Sequence, residues 1–414
     1  MQPTQVKPSD FPRDRKFRDP TTAPFRDADG NYHVFSYEDV MRVLLNREEA
    51  FSRDPAPWLP PGVRHMGLDF MWVYEPFTID GKEPRHDLLR SVVDPWFRTR
   101  EVRKLDEFLR GMTVDLIHGI VRDGDGEFDL ATELAYRLSL RVICSLLGFD
   151  TEQEPWLREK LNEFNQAPSY DKLPRQFDVE AFLWEMIAER IVHPRDEMLD
   201  AIIDAWKEER ITGRDLLGYI FGMLAAGTDT TGATLVNAFG LLAEFGKLDD
   251  VRAMDGDVDA LRCVVEEILR FGSAFPTKPL YVLKDSTFGE LTVPKGAVLY
   301  VWYASANRDE AVNGGAEQSS PDAFDIARWP NRHVGLGWGK HFCLGGDLAR
   351  LETRILIEEA LRRLPGLELD ETKPFARFAG IVDGVTEAPF RYDQEAAEGI
   401  MRLEPAATRG PGGW

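Results

Sequence analysis

Gly335-Leu336-Gly337-Trp338-Gly339-Lys340-His341-Phe342-Cys343-Leu344-Gly345-Gly346 is the stretch on which the reading of this chain turns. Its five glycines let the backbone approach a ligand closely and enter turns closed to residues with a Cβ. A helical pattern runs from Asp347 to about Leu364, so Cys343 stands just ahead of a helix. Free backbone N–H groups and the helix dipole there favour an anionic thiolate over the thiol. Other readings of the loop are weaker. A lone cysteine is ordinarily a small buried hydrophobe, which suffices for Cys144 and Cys263, each set in an apolar helical stretch. A dinucleotide loop fails because Gly335-Leu336-Gly337 lacks the third glycine of G-x-G-x-x-G. A zinc site fails because His341 and Cys343 have no second pair at ligand spacing. What remains is a thiol poised for chemistry.

The rest of the chain sets the bounds. It has 414 residues, 43% hydrophobic and 29% charged, with 10 Trp and 25 Phe, enough to build a large core. No Pro/Gly/Ser linker or fixed-period repeat interrupts it, so 1–414 reads as a single large domain. The polar, Pro-rich segment 1–30 and the Gly/Pro tail 409–414 read as loosely ordered. A net charge of −21 argues against nucleic acid, whose phosphates call for a concentrated basic surface. No run of about 18 apolar residues predicts a membrane span. The start, Met1 to Pro8, lacks a signal-type apolar core, and three cysteines do not make a disulfide framework. A reduced, cytoplasmic protein is expected.

Periodicity makes the class mainly α with a small β region. Helices are predicted over Ser36–Asn46, Glu83–Phe97, Glu101–Val121 and Leu130–Leu147, with several more between about Gln153 and Glu209. Thr212-Gly213-Arg214-Asp215 has the form of a capping box, and apolar positions then recur from Leu216 to Leu242. A helix apolar on most sides and about 45 Å long, at 1.5 Å per residue, is a central buried one. Asp257–Phe271 is a further helix. Leu280–Leu283, Thr287–Val293 and Ala297–Trp302 read as strands, the last two joined by a Pro294-Lys295-Gly296 turn.

The loop resembles the haem-binding loop of the cytochrome P450 family, F-G-x-G-x-H-x-C-x-G, with matches at Gly337, Gly339, His341, Cys343 and Gly345. The family normally has Phe, packed beside the thiolate, where Leu336 stands; this departure is expected to alter tuning and not ligation. Two further elements occur in the family's order. Glu267-Ile268-Leu269-Arg270 is similar to E-x-x-R, and Phe324-Asp325-Ile326-Ala327-Arg328 to F-D-x-x-R. The resemblance implies a buried triad of Glu267, Arg270 and Arg328, which stays charged only if mutually satisfied. It extends from about Ser36 to Phe390. It implies the family's fold, with the long helix crossing over haem b (iron protoporphyrin IX) and Cys343 as the iron ligand.

In the long helix, Ala225-Ala226-Gly227-Thr228-Asp229-Thr230 places Gly, Asp and Thr mid-helix, where they compete with backbone hydrogen bonding. It resembles the family's A-G-x-D/E-T element, in which small residues open the helix over the iron. Asp229 and Thr230 would there relay protons to bound oxygen, Thr230 through its hydroxyl. Their presence favours an O2-dependent monooxygenase over a peroxide-driven peroxygenase. For the haem propionates the family offers a His and an Arg four residues later; His86 and Arg90 have that spacing and share one helical face. His341 is the third implied partner, and Lys278 stands where the family usually has Arg.

No flavin or nicotinamide fingerprint is present, so electrons are expected from a ferredoxin and an NAD(P)H-dependent ferredoxin reductase. Arg85, Arg90, Arg98, Arg100, Arg103, Lys104 and Arg110 outnumber the acids between them. With Lys340 and Arg350 they suggest a docking face for an acidic ferredoxin. Large apolar residues crowd 58–77, and Trp58, Phe70, Trp72 and Phe77 are expected pocket walls with Phe221, Leu224, Ala226, Phe275 and Val385. They point to a small apolar or aromatic substrate, hydroxylated, epoxidised or oxidatively coupled by a monomeric enzyme of natural-product biosynthesis or catabolism. A haem sensor or electron carrier, the other class considered, has no use for such a pocket.

Overall fold

The computed structural model describes residues 7–10, 12, 14–53, 84–149, 155–160, 173–315, 318–379, 382–404. Six helices position the site: α1 (Tyr37–Leu45), α2 (Pro84–Phe97), α3 (Tyr136–Leu147), α4 (Gly213–Glu244), α5 (Val258–Phe271) and α6 (Gly346–Arg363). α4 is the axis. Thr212 and Asp215 form the reciprocal capping box at its start, and its 32 residues run without interruption through the middle of the main core. Leu216, Ile220, Leu224, Leu235, Phe239 and Leu242 are buried on it, and α3, α5 and α6 pack around it. Few of its faces meet water, and the near-absence of charge between Leu216 and Leu242 is the sequence cause.

The small β region is a five-stranded sheet of β1 (Phe25–Arg26), β2 (Tyr32–Val34), β3 (Phe51–Ser52), β4 (Thr277–Val282) and β5 (Val298–Trp302), in spatial order β1-β2-β5-β4-β3. β5 is the hub, parallel to β2 and antiparallel to β4, with Lys278 opposite Val301. A two-stranded hairpin, β6 (Ala376–Ala379) with β7 (Asp383–Glu387), lies against α4. Among the described residues no helix is long and apolar enough to cross a membrane.

Several boundaries differ from the sequence expectation, each for a local reason. The helix expected over Glu101–Val121 is two, Thr99–Arg103 and Asp106–Asp123, broken at Lys104–Leu105. The first turn before α3 is a π-helix, Leu130–Ala135, capped by the Asp129 side chain. Thr287–Val293 is not one strand but a hairpin of Ser286–Phe288 and Leu291–Val293, turned at Gly289, whose φ of +56° costs glycine nothing. It forms its own sheet apart from β5. Part of the polar start is packed and not loose: Phe17 stacks on Trp302 at 4.1 Å between ring centroids, and Phe25 stacks on His33.

Candidate functional site

The cysteine loop owes its shape to two left-handed glycines and a few backbone bonds. Gly337 (φ +72°) and Gly339 (φ +70°) turn the chain, and a 3₁₀ turn over Gly339–His341 follows. The Cys343 N–H then donates to the Leu336 carbonyl at 2.9 Å, closing the loop. A Cβ on Gly346 would come within 3.2–3.4 Å of the Phe342 and Leu336 side chains, so the loop folds back onto the first residue of α6. Burial pushes the Cys343 thiol up, and the Gly345 N–H aimed at the sulfur, with the charges of Arg90, Arg350 and Lys278, opposes that rise. The cysteine is nevertheless accessible.

The same signature appears on α4. Ala226 is exposed although Leu224, Ala225 and Thr228 around it are buried. Thr230 Oγ1 donates to the Ala226 carbonyl one turn back at 2.7 Å, so the hydroxyl proton is already engaged and only acceptor lone pairs are left. With that bond made, the Thr230 oxygen can still accept from a further donor. α4 is also helical throughout, not opened at its small residues. Gly227 is small because a Cβ there would meet Ile143 at 3.1 Å, and Gly232 because the Tyr136 ring lies against it. The Tyr136 hydroxyl accepts from Val385 N at 3.2 Å, and the nearby Asp229 charge adds to the burial that raises its pKa.

Charged groups converge on the cysteine side. His86, on α2 and buried, sets its ring edge-on to His341 at 4.8 Å. Arg90, one turn on, donates to the carbonyls of Phe342 (2.9 Å) and Lys340 (3.3 Å). The i,i+4 pair thus reaches the loop together. Lys278 projects from β4, its pKa pushed down to about 8 by burial and by the Arg53 charge. Two cations share this enclosed place, and among the described residues no carboxylate is paired with Lys278. Arg53 carries no motif; only the fold brings it beside Lys278.

Behind the loop, Glu267, Arg270 and Arg328 form the expected triad with fully buried side chains. Arg270 grips Glu267 with two bonds (2.7 and 2.8 Å), and Arg328 Nε lies 3.3 Å from the same carboxylate. The remaining guanidinium protons go to the carbonyls of Asn307, Pro321, Ala323, Asn313, Ser319 and Ser320. Sequence reasoning missed three asparagines here. Asn331 donates to Glu267, Asn307 accepts from Val334 N at 2.8 Å, and Asn313 brackets Arg332. Isolated asparagines are a weak signal without the fold.

The expected basic face is thinner than its composition suggests. Lys340 pairs with Asp87, Arg350 with Glu266, Lys104 with Glu101, Arg85 with Asp215, and Arg110 with three carboxylates. Arg98, Arg100 and Arg103 are exposed and enter no ion pair among the described residues. Of the expected pocket walls, Trp58, Phe70, Trp72 and Phe77 lie outside the described residues. Phe221, Leu224 and Val385 are buried in the main core, while Phe275 is partly exposed.

A family model for cytochrome P450 matches residues 254–380, the span holding the triad and the cysteine loop. The chain is 31% identical over 371 residues to cytochrome P450 107B1 of Saccharopolyspora erythraea, covering 86% of this chain and 88% of the relative. It is 30% identical over 383 residues to a steroid C26-monooxygenase of Mycolicibacterium smegmatis, covering 90% of each. A myxobacterial cytochrome P450 solved with myristic acid superposes with a TM-score of 0.80 at 25% identity, over 93% of this chain and 98% of the other. Similarity of this extent means that the chain belongs to the cytochrome P450 family, oxygen-incorporating oxidoreductases that bind haem through a cysteine thiolate.

Proposed function

We propose that Cys343 is the haem ligand of an O2-dependent monooxygenase acting on a small, largely apolar organic substrate. The observation that carries this reading is the cysteine loop itself, the exposed Cys343 with the Gly345 N–H at its sulfur, set in front of the fully buried Glu267–Arg270–Arg328 triad. The donor set fits haem. A sulfur with a backbone N–H directed at it suits an iron ligand, and the buried ammonium of Lys278, its pKa held down by burial, suits a propionate. His86, Arg90 and His341 are the remaining candidates for the propionate edge, with Leu336, Gly337 and Gly345 shaping the face toward the ring.

When bound, haem supplies the site for O2 activation, with the thiolate donating electron density toward O–O cleavage. The protein does the rest. Thr230, its proton held by the Ala226 carbonyl, accepts a hydrogen bond from a water and positions it. Asp229 exchanges protons between that water and solvent. Requiring both groups is what sets this reading above a peroxide-driven one. The apolar substrate class is supported by the aromatic content of 58–77 and by the steroid and fatty-acid names among the similar proteins. Electrons are proposed to come from a ferredoxin and its NAD(P)H-dependent reductase, the ferredoxin meeting Arg98, Arg100 and Arg103.

Titration with a panel of steroids, fatty acids, aromatic compounds and small polar compounds, followed by the low-spin to high-spin absorbance change, tests the substrate class. A saturable shift with at least one apolar compound is expected. A shift only with small polar compounds would contradict the apolar assignment.

A further inference from the structure

A second charged cluster, separate from the Glu267 triad, joins the two ends of the cysteine loop. Glu266, the neighbour of Glu267 on α5, points the other way. Its Oε1 accepts from Arg350 Nε at 2.6 Å and its Oε2 from Arg350 Nη2 at 3.1 Å. Oε2 also receives His333 Nε2 at 2.8 Å. The other ring nitrogen of His333, Nδ1, accepts from the Gly335 N–H at 3.1 Å. That bond leaves the ring proton on Nε2, where it is given to Glu266. His333 lies just before the loop and Arg350 one turn into the helix after it, so one carboxylate ties entrance to exit. Gly335 confirms how closely the entrance is seated on α5: a Cβ there would lie 2.5 Å from the Leu269 carbonyl.

Arg350 also reaches back to the end of the loop, its Nη1 3.5 Å from the carbonyl of Gly346, three residues after Cys343, so its charge adds to those of Arg90 and Lys278 at the sulfur. Glu266 is bonded to it through two nitrogens, so the carboxylate offsets part of the field that reaches the sulfur. We infer that Glu266, His333 and Arg350 form a positioning clamp that holds the cysteine loop at both ends and sets, through the Glu266–Arg350 balance, the reduction potential of the haem. This inference rests on Cys343 being the haem ligand. It makes two separable claims, one mechanical and one electrostatic.

The electrostatic claim has a sign that a merely structural role cannot imitate. Removing the Glu266 charge leaves Arg350 uncompensated near the sulfur, which favours the more negative, reduced state and raises the potential. Removing the Arg350 charge lowers it. Arg350→Lys keeps the charge and loses the two-pronged geometry, so it separates the two claims.

The experiment uses the haem-loaded protein and compares E266Q, R350M, R350K and H333A with wild type. Spectroelectrochemical titration gives the midpoint potential, and hydrogen exchange of peptides covering 334–346 gives loop mobility. The expected result is a higher potential for E266Q, a lower one for R350M and a wild-type value for R350K, with faster loop exchange in all four. Shifts of the same sign in E266Q and R350M, or none, would overturn the electrostatic claim. Unchanged exchange in H333A and R350K would overturn the mechanical one. Should E266Q not accumulate as folded protein, R350M against R350K decides both claims. A wild-type reduced CO complex with a histidine-type band would instead show that the reading of Cys343 had failed before the clamp was tested.

Discussion

The two sides of the site are built on opposite principles. Behind the cysteine loop the charges are matched: the Glu267 triad spends its guanidinium protons on six named carbonyls, and the Glu266 clamp ties the loop at both ends. On the α4 side the helix carries residues that a stable helix would avoid. Gly227, Thr228, Asp229 and Thr230 follow one another, the buried Thr228 hydroxyl has no partner among the described residues, and Ala226 is exposed between the buried Ala225 and Thr228. A thiolate must be held rigidly because its potential depends on the donors around it. A surface that handles protons and substrates must keep room and unsatisfied polar capacity. Rigidity and vacancy are divided between two elements of one core.

That contrast can be broken first where it is strongest. Glu267→Gln leaves two buried guanidinium groups without their counter-charge, and a destabilisation of about 3–5 kcal/mol is expected. Thermal or denaturant unfolding should show it, together with loss of haem during purification; a change smaller than about 1 kcal/mol would mean that the triad does not brace the loop.

The next effect is a pH dependence. Burial alone would raise the Glu266 carboxyl, but His333 and Arg350 outweigh it and bring its pKa down to about 2 from 4.5. A carboxyl lowered on folding gives stability that is present above about pH 4.5 and lost as pH falls toward 2. The shift is worth about 3 kcal/mol at neutral pH. Glu266→Gln should flatten that acid limb of the stability curve relative to wild type. Equal slopes in the two proteins would contradict the assignment.

On the α4 side the same kind of substitution should spare stability and damage chemistry. Thr230→Ala removes a partly exposed hydroxyl, so its unfolding midpoint should stay close to wild type. Product formed per O2 consumed should fall by about 10²-fold, the scale of a lost proton-handling group, with hydrogen peroxide taking up the difference. Thr230→Ser should restore most of it. Full coupling in the alanine variant would remove Thr230 from the proposed machinery.

The smallest effect belongs to the surface. Reversing Arg98, Arg100 and Arg103 together should slow reduction by an acidic ferredoxin at low salt and matter little near 1 M, where the screening length is about 3 Å. Salt-independent rates in the variant and the wild type alike would place docking elsewhere.

The sequence carried the rigid side well and the open side poorly. Cys343, the E-x-x-R pair and Arg328 were legible because each depends on a short run of residue types at fixed spacing. The partners that complete them were not: Glu266 is one of two adjacent acids, and only α5's rotation decides which meets Arg270 and which meets Arg350. Asn307, Asn313 and Arg53 act through carbonyls and charges brought near by tertiary packing, which leaves no local pattern. On α4 the motif was visible, but the direction of the Thr230 hydrogen bond was not, since a hydroxyl can give or take. Phe221, Leu224 and Val385 were expected as pocket walls from their places in the chain, and the structure packs all three into the main core.

The central claim is that Cys343 supplies the sulfur at the rigid side. The direct measurement is the absorbance of the reduced, CO-bound protein beside that of a Cys343→His variant. The wild type is predicted to show the strongly red-shifted Soret band of thiolate ligation, and the variant to lose it. A histidine-type band in the wild type, or a thiolate band that survives the substitution, would contradict the account.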